Sequence, residues 1–271
     1  MADAAPAVLI TGATSGLGRY LATELASSGW QVLAHGRDPV RVADSCAELG
    51  GGARGLVADL ARLGDVRELA RLVSAEVPQL DVLVNNAGIG FGAPGEVRQV
   101  SADGHELRFA VNYLAPVLLT RLLVPLLAAS APSRVVNVGS LGQVAFDPAD
   151  AEFEAGYNGV DAYRRSKLAL AAFTFDLAGE LETAKVTVNC SHPATFMNTG
   201  MVAHAGITPV STLEQGGEAT MRLITDPALA GVTGQFFDGL KTSRARPEAY
   251  DPRFRARLAE VTDRMLGENL A

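Results

Sequence analysis

Short apolar runs alternate with longer stretches of helical periodicity along almost the whole chain. The runs at residues 7–10, 31–35, 55–58, 81–84, 134–138, 185–190 and 235–237 are rich in Val, Leu and Phe and apolar on both faces. Such runs suit strands of a parallel sheet covered by helices on both sides. Between them, residues 17–28, 40–49, 66–77, 101–129 and 162–182 carry helical patterns. Strand–helix alternation repeated this often predicts an α/β fold: a doubly wound, seven-stranded parallel sheet with right-handed crossovers. Nothing of low complexity divides the pattern, so residues 1–271 are expected to form one unit, with 241–271 an extension carrying an amphipathic helix.

The first run leads directly into Thr11-Gly12-Ala13-Thr14-Ser15-Gly16-Leu17-Gly18 and then a helix. Glycines here allow a tight turn, let backbone amides approach a pyrophosphate, and permit close helix–strand packing. The helix N-terminus adds partial positive charge. The fourth run ends in a second polar turn, Asn85-Asn86-Ala87-Gly88, and the fifth in Gly139-Ser140. Tyr163 and Lys167 follow one turn apart on one helical face. Carbonyl reduction needs a hydride donor, an acid for the developing alkoxide and a group to orient the carbonyl. A free tyrosine titrates near about 10, and a neighbouring ammonium is expected to bring Tyr163 down. Tyr157 competes less well, because Asp161 rather than a lysine stands one turn beyond it.

In this order across nearly the whole chain, the glycine turn, Asp59, the Asn-Asn-Ala-Gly turn, Asn112, Ser140, Tyr163-Arg-Arg-Ser-Lys167 and His192-Pro193 resemble the short-chain dehydrogenase/reductase family. The resemblance implies a single-domain, three-layer Rossmann fold. It implies Tyr163 as proton donor, Lys167 tuning it and binding the nicotinamide ribose, Ser140 on the substrate carbonyl, and Asn112 either relaying protons through water or serving only as a core amide. It implies a cofactor held by Gly12, Thr14, Ser15, Gly16, Leu17, Gly18, Arg37, Asp59, Leu60, Asn86, Ala87, Gly88, Tyr163, Lys167 and Pro193, with no metal. The stretch after Tyr163 and the ending Gly234-Gln-Phe-Phe-Asp-Gly look like the retinol-dehydrogenase-like and protochlorophyllide-reductase-like branch. That branch implies NADP(H) and bulky, lipophilic substrates.

Cofactor preference has its own signal. An NAD enzyme places a carboxylate just after the second strand, where this chain has Gly36 followed by Arg37. Gly36 leaves room, and a guanidinium pairs bidentately with a 2′-phosphate, so NADP(H) is expected. Asp38 is the competing feature, as an NAD-type acid or a partner of Arg37. Two departures from the family stand out. Pro193 is followed by Ala194 where Pro-Gly is common, and alanine tolerates positive φ poorly. Ser140 and Tyr163 are further apart than usual, leaving an acidic, aromatic segment, 146–162, as either a substrate entrance or a solvated loop. The expected function is an NADP(H)-dependent ketoreductase or alcohol dehydrogenase. The alternatives are an NAD-linked dehydrogenase and a non-catalytic NADP(H)-sensing protein.

Composition narrows the setting. The net charge of −7 argues against nucleic acid as a partner. The chain's two cysteines, Cys46 and Cys190, form no CxxC or Cys/His cluster, which points to a reducing compartment. Residues 109–132 are the one stretch resembling a membrane helix, and Asn112, Pro116, Arg121 and Pro125 interrupt it. A buried helix, no membrane span and a cytoplasmic location are therefore expected. His192 reads as structural, and His35, His105 and His204 show no informative spacing. Helices 101–129 and 162–182 are apolar on more than one face, through Leu114, Val117, Leu118 and Leu122 in one and Leu168, Ala171, Phe175 and Leu177 in the other. That pattern predicts a homodimer or homotetramer, unless the chain's own C-terminal segment covers them.

Overall fold

Side chains alternate along each strand between two cores. Leu9, Leu33, Leu83 and Val135 face one; Val8, Ile10, Val32, Val84 and Val136 face the other. A computed structural model describes residues 5–93 and 95–267; residues 1–4, 94 and 268–271, including both ends of the expected 1–271 unit, lie outside the described residues. The strands are β1 (Ala7–Ile10), β2 (Gln31–Gly36), β3 (Arg54–Val57), β4 (Val82–Asn85), β5 (Ser133–Val138), β6 (Val186–His192), β7 (Phe236–Asp238) and β8 (Lys241–Ser243). They form one sheet in the order β3-β2-β1-β4-β5-β6-β7-β8. Leu9 pairs with Leu33 on one side and Leu83 on the other. The chain reverses its winding between β1 and β4, so the crevice for a ligand opens where their C-terminal ends part.

The sheet has eight strands rather than the expected seven, and β8 runs antiparallel to β7. The tight turn between them is made by Gly239, with φ +56°. An Asp-Gly pair in the sequence marks it.

The helices are α1 (Gly16–Ser27), α2 (Pro39–Leu49), α3 (Leu63–Glu76), α4 (Leu107–Phe109), α5 (Ala115–Ala129), α6 (Gly159–Glu180), α7 (Gly200–His204), α8 (Leu213–Thr225) and α9 (Pro252–Leu266). The expected 101–129 helix starts later, because Ser101 and His105 close a turn around Gly104, whose φ is +89°. From Leu107 the helix is continuous to Ala129, with a π-helical turn at Ala110–Leu114 joining α4 to α5. In that turn the Ala115 amide reaches back to the Ala110 carbonyl. Pro116 follows inside this continuous helix, its missing N–H falling where the π turn has already interrupted the regular hydrogen-bond ladder. The expected interruption by Asn112 and the prolines is thus corrected: Leu107–Ala129 is long and apolar enough to cross a membrane, with a mean hydropathy of 1.6, although most of it is buried in the fold.

Helix α8 escaped the sequence pattern. Its capping box is legible, with Thr212 and Gln215 bonding each other's backbone amides. Gly216 and Gly217 hide it, since two glycines weaken any helix signal. They are needed because Met197 lies where a Gly216 Cβ would stand and Tyr20 of α1 where a Gly217 Cβ would.

Most of the apolar residues behind the expected homo-oligomer pack within the chain, whereas Leu122 is exposed and Phe175 half-buried. Leu114, Val117, Leu118, Leu168, Ala171 and Leu177 are buried within one copy. The C-terminal segment lies over them. The Tyr113 and Thr262 hydroxyls meet at 2.7 Å, Arg121 pairs with Asp263 at 2.7 Å, and Arg255 with Asp176 at 2.9 Å. Phe175 stacks on Tyr250 and Phe146 meets Phe254 edge-on. These contacts cover part of the faces on which the expectation of a second copy rested.

Candidate functional site

Two glycine-ended turns meet at the parting of β1 and β4. Thr11 stitches them: its hydroxyl accepts from the Asn86 and Ala87 amides at 2.9 and 3.0 Å and donates to the Val84 carbonyl at 3.2 Å. The Asn86 carboxamide donates back to the Thr11 carbonyl at 2.7 Å. Gly12 and Gly16 take φ of +69° and +50°. A Cβ on Gly12 would stand 3.0 Å from the Ala87 Cα, and one on Gly18 would strike the Gly12 carbonyl. Ser15 occupies the α1 N-cap position without a side-chain cap bond, beside Thr14, and Leu17 anchors the helix in the core. A glycine-lined turn leading into a helix N-terminus fits the diphosphate of a dinucleotide.

The adenosine side is built from β2 and β3. His35 is buried; its Nδ1 accepts from the Gly12 amide at 3.2 Å and its Nε2 faces the Ala58 carbonyl at 3.1 Å. Burial lowers its pKa to about 4. Asp59 closes the next turn, with Oδ1 accepting from Ala61 at 3.0 Å, while Leu60 packs into the core. Asp38 is committed as the N-cap of α2, accepting from the Val40 and Arg41 amides. Arg37 is exposed beside it. Arg41, which sequence reasoning missed, donates to the Thr14 carbonyl at 3.1 Å and so stands over the glycine turn. Its signal was its place in the first turn of α2. His35 also escaped notice, since a histidine ending an apolar strand reads as an edge residue.

Tyr163 and Lys167 share a buried face of α6, which is capped by Asn158 on the Asp161 amide. Lys167 Nζ donates to the Val138 carbonyl at 2.7 Å, and burial lowers its pKa to about 8. The expected lowering of Tyr163 is corrected. Burial pushes its hydroxyl up, opposed only by the Ser140 hydroxyl, because the ammonium is turned to Val138 and lies 5.7 Å from the ring centre. Ser140 follows β5 by two residues and accepts from the Gly142 amide at 2.9 Å. Asn112 lies in the π turn. Its Oδ1 accepts from the Ile89 amide at 2.7 Å, and its Nδ2 donates to the Ile89 carbonyl and to Ser166. Asn112 and Lys167 both approach the bare Cα of Gly88. Pro193 is buried after β6, where His192 bonds Thr195 and burial holds its pKa below the ordinary value. Ala194 has no positive φ; the loop takes that conformation at Phe196, φ +42°.

One wall of the site is aromatic. The Phe91 ring stands edge-on to Tyr163 at 4.7 Å, and Phe196 packs against Phe91 at 6.4 Å. Part of the 146–162 segment packs inward, with Pro148, Ala151 and Phe153 buried and Arg165 over the Phe153 ring, while Asp147, Asp150, Glu154 and Asn158 are exposed.

The family profile described as short chain dehydrogenase matches residues 6–208. The chain belongs to the short-chain dehydrogenase/reductase family. It is 37% identical to retinol dehydrogenase 14 of Mus musculus over 96% of this chain and 85% of the relative. Among solved structures it is similar to RhlG of Pseudomonas aeruginosa in an active-site complex with NADP, with a TM-score of 0.71, 28% identity, and 87% of this chain and 95% of that one covered. It also resembles 3-ketoacyl-(acyl-carrier-protein) reductase of Brucella melitensis complexed with NADH, with a TM-score of 0.70, 25% identity, and 86% and 96% covered. Membership makes this chain an oxidoreductase that binds a nicotinamide cofactor. The likeness also corrects one expectation. A cytoplasmic protein with no membrane partner does not stand against relatives named for retinol, a lipophilic alcohol, and the apolar Leu107–Ala129 helix.

Proposed function

We propose that the chain is an NADP(H)-dependent oxidoreductase interconverting a bulky, lipophilic ketone or aldehyde and its alcohol, with all of residues 1–271 serving that one task. One observation carries the reading: Tyr163 and Lys167, both buried on one face of α6, converge with Ser140 beside the two glycine turns. The nicotinamide supplies or accepts the hydride when bound. In the reducing direction the Tyr163 hydroxyl gives its proton to the carbonyl oxygen, and the Ser140 hydroxyl donates to the same oxygen. The elevated Tyr163 pKa keeps that proton in place at neutral pH. Lys167 holds the ribose hydroxyls and carries positive charge beside the tyrosine. Asn112 fastens the Ile89 strand end to α6 and passes protons from Lys167 outward through water.

Gly12, Thr14, Ser15, Gly16, Leu17 and Gly18 hold the diphosphate in this reading, with Asp59 and Leu60 at the adenine. Asn86, Ala87, Gly88 and Pro193 flank the nicotinamide end. The preference for NADP(H) is supported by two cations, Arg37 and Arg41, at the place where an NAD enzyme has a free carboxylate. The carboxylate next to Arg37, that of Asp38, gives its Oδ1 to the α2 cap. Bulky apolar substrates are supported by Phe91, Phe196 and the half-exposed Met201, which packs against Gly90. The test is a panel of bulky ketones and alcohols assayed with NADPH, NADP, NADH and NAD. Turnover that favours the phosphorylated cofactor supports the reading; no turnover across the panel refutes it.

A further inference from the structure

A fully buried cation stands one shell behind this site. The Arg108 side chain is 0% exposed. Its Nε donates to the Gly90 carbonyl at 2.7 Å, Nη1 to the Tyr157 hydroxyl at 2.6 Å, and Nη2 to Glu96 at 2.8 Å. The Tyr157 hydroxyl passes the chain on, donating to buried Glu106 at 3.1 Å. One guanidinium thus ties together the strand end after β4, the start of the Leu107–Ala129 helix and the segment before α6. Gly92 lies against it so closely that a Cβ would meet Nη2 and Glu96.

The first of these bonds ends next to Phe91. Gly90, whose carbonyl Arg108 holds, precedes it. On the other side, Gly159 in the first turn of α6 has no room for a Cβ because the Phe91 carbonyl occupies the space. Tyr163 follows one turn later on the same helix. The Phe91 ring is therefore fixed against Tyr163, at an interplanar angle of 79°. Behind Phe91 a cavity of about 680 Å³ opens, lined also by Tyr157, Val160, Ala205 and Ile207.

We infer that Arg108 is a positioning residue: through Gly90 and Tyr157 it holds Phe91 edge-on to Tyr163 and so sets how wide a substrate the Tyr163 hydroxyl can meet. This rests on the function proposed above. The planar fork is what the site requires, because three acceptors in fixed directions match a guanidinium and not an ammonium. The segment between Ser140 and Tyr163 then has a role, since it supplies Tyr157.

The experiment compares Arg108→Lys, Tyr157→Phe and Phe91→Ala with the intact protein on a slim aldehyde, hexanal, and a broad ketone, 2-acetonaphthone, with NADPH. All three variants are expected to shift the ratio of the two kcat/KM values in the same direction, by about tenfold, with the NADPH Kd unchanged. A lower Tm with an unchanged ratio overturns the inference, because a merely structural pin has that signature. Tyr157→Phe removes a single hydroxyl and serves if Arg108→Lys does not fold. If the intact protein turns over neither compound nor any of the wider panel, the proposed function fails. Crystal structures of the variants then decide the role of Arg108. A Phe91 ring that leaves Tyr163 supports it, and an unmoved ring overturns it.

Discussion

Gly12 donates its amide hydrogen to Nδ1 of His35 at 3.2 Å, so the proton of that ring must sit on Nε2, facing the Ala58 carbonyl at 3.1 Å. A neutral imidazole thereby links the glycine turn to the end of β3. Adding a second proton would place N–H against N–H. Its pKa of about 4 lies below the ordinary 6.5, so between those values the unfolded chain binds more protons and stability falls with falling pH. Urea unfolding at pH 7.5 and pH 5 should differ by about 2 kcal/mol more in the intact protein than in His35→Gln. Equal differences would falsify the tautomer.

Tyr163→Phe should leave NADPH binding and folding intact while lowering kcat by about 10²–10⁴-fold, the usual span for general acid catalysis. The loss belongs in kcat, because the donated proton moves only in the transition state. Retention of more than about a tenth of kcat would place the proton donor elsewhere.

Lys167 loses its charge as pH rises through about 8, whereas burial holds Tyr163 protonated beyond the ordinary tyrosine range. Reductase activity should therefore fall on the alkaline side with a midpoint set by Lys167. A pH profile flat from about 7 to about 10 contradicts this pairing.

Arg37→Ala and Arg41→Ala should each weaken NADPH by about tenfold or more while leaving NADH nearly unchanged, as loss of a charge-assisted bond to phosphate requires. Asp38→Ala separates the two readings of that carboxylate. As an α2 cap its loss costs about 1 kcal/mol of stability and does not impair NADH use. A selective loss of NADH binding in Asp38→Ala would show it to be a ribose ligand instead.

Removing Phe254 uncovers the faces that the C-terminal segment shields. Phe254→Ala should cost about 3–5 kcal/mol, and Tyr113→Phe, which breaks only the bond to Thr262, about 1 kcal/mol. Light scattering of the intact protein should give a mass near 28.3 kDa. A dimer mass would mean the covered faces are not the ones that associate.

The periodic pattern determined the sheet and most of its helices, because strands buried on both faces must be apolar throughout and amphipathic helices must cover them. The Thr11–Gly18 and Asn85–Gly88 turns were legible for a related reason: their backbone shapes admit few residues, so composition reveals them. Where one residue's place depended on a distant neighbour, the sequence was silent. Gly216 and Gly217 look like helix breakers until Met197 is seen lying against the first and Tyr20 against the second. The apolar faces of α5 and α6 call for cover, and only the fold shows that the chain's own C-terminal segment meets them at Tyr113 and Asp176. A lysine one turn from a tyrosine reads as an ion beside a phenol, yet the ammonium is turned to the Val138 carbonyl and burial sets the direction of both shifts. Local patterning specifies what each segment must bury; which atoms meet across the core is set by packing among residues far apart in sequence.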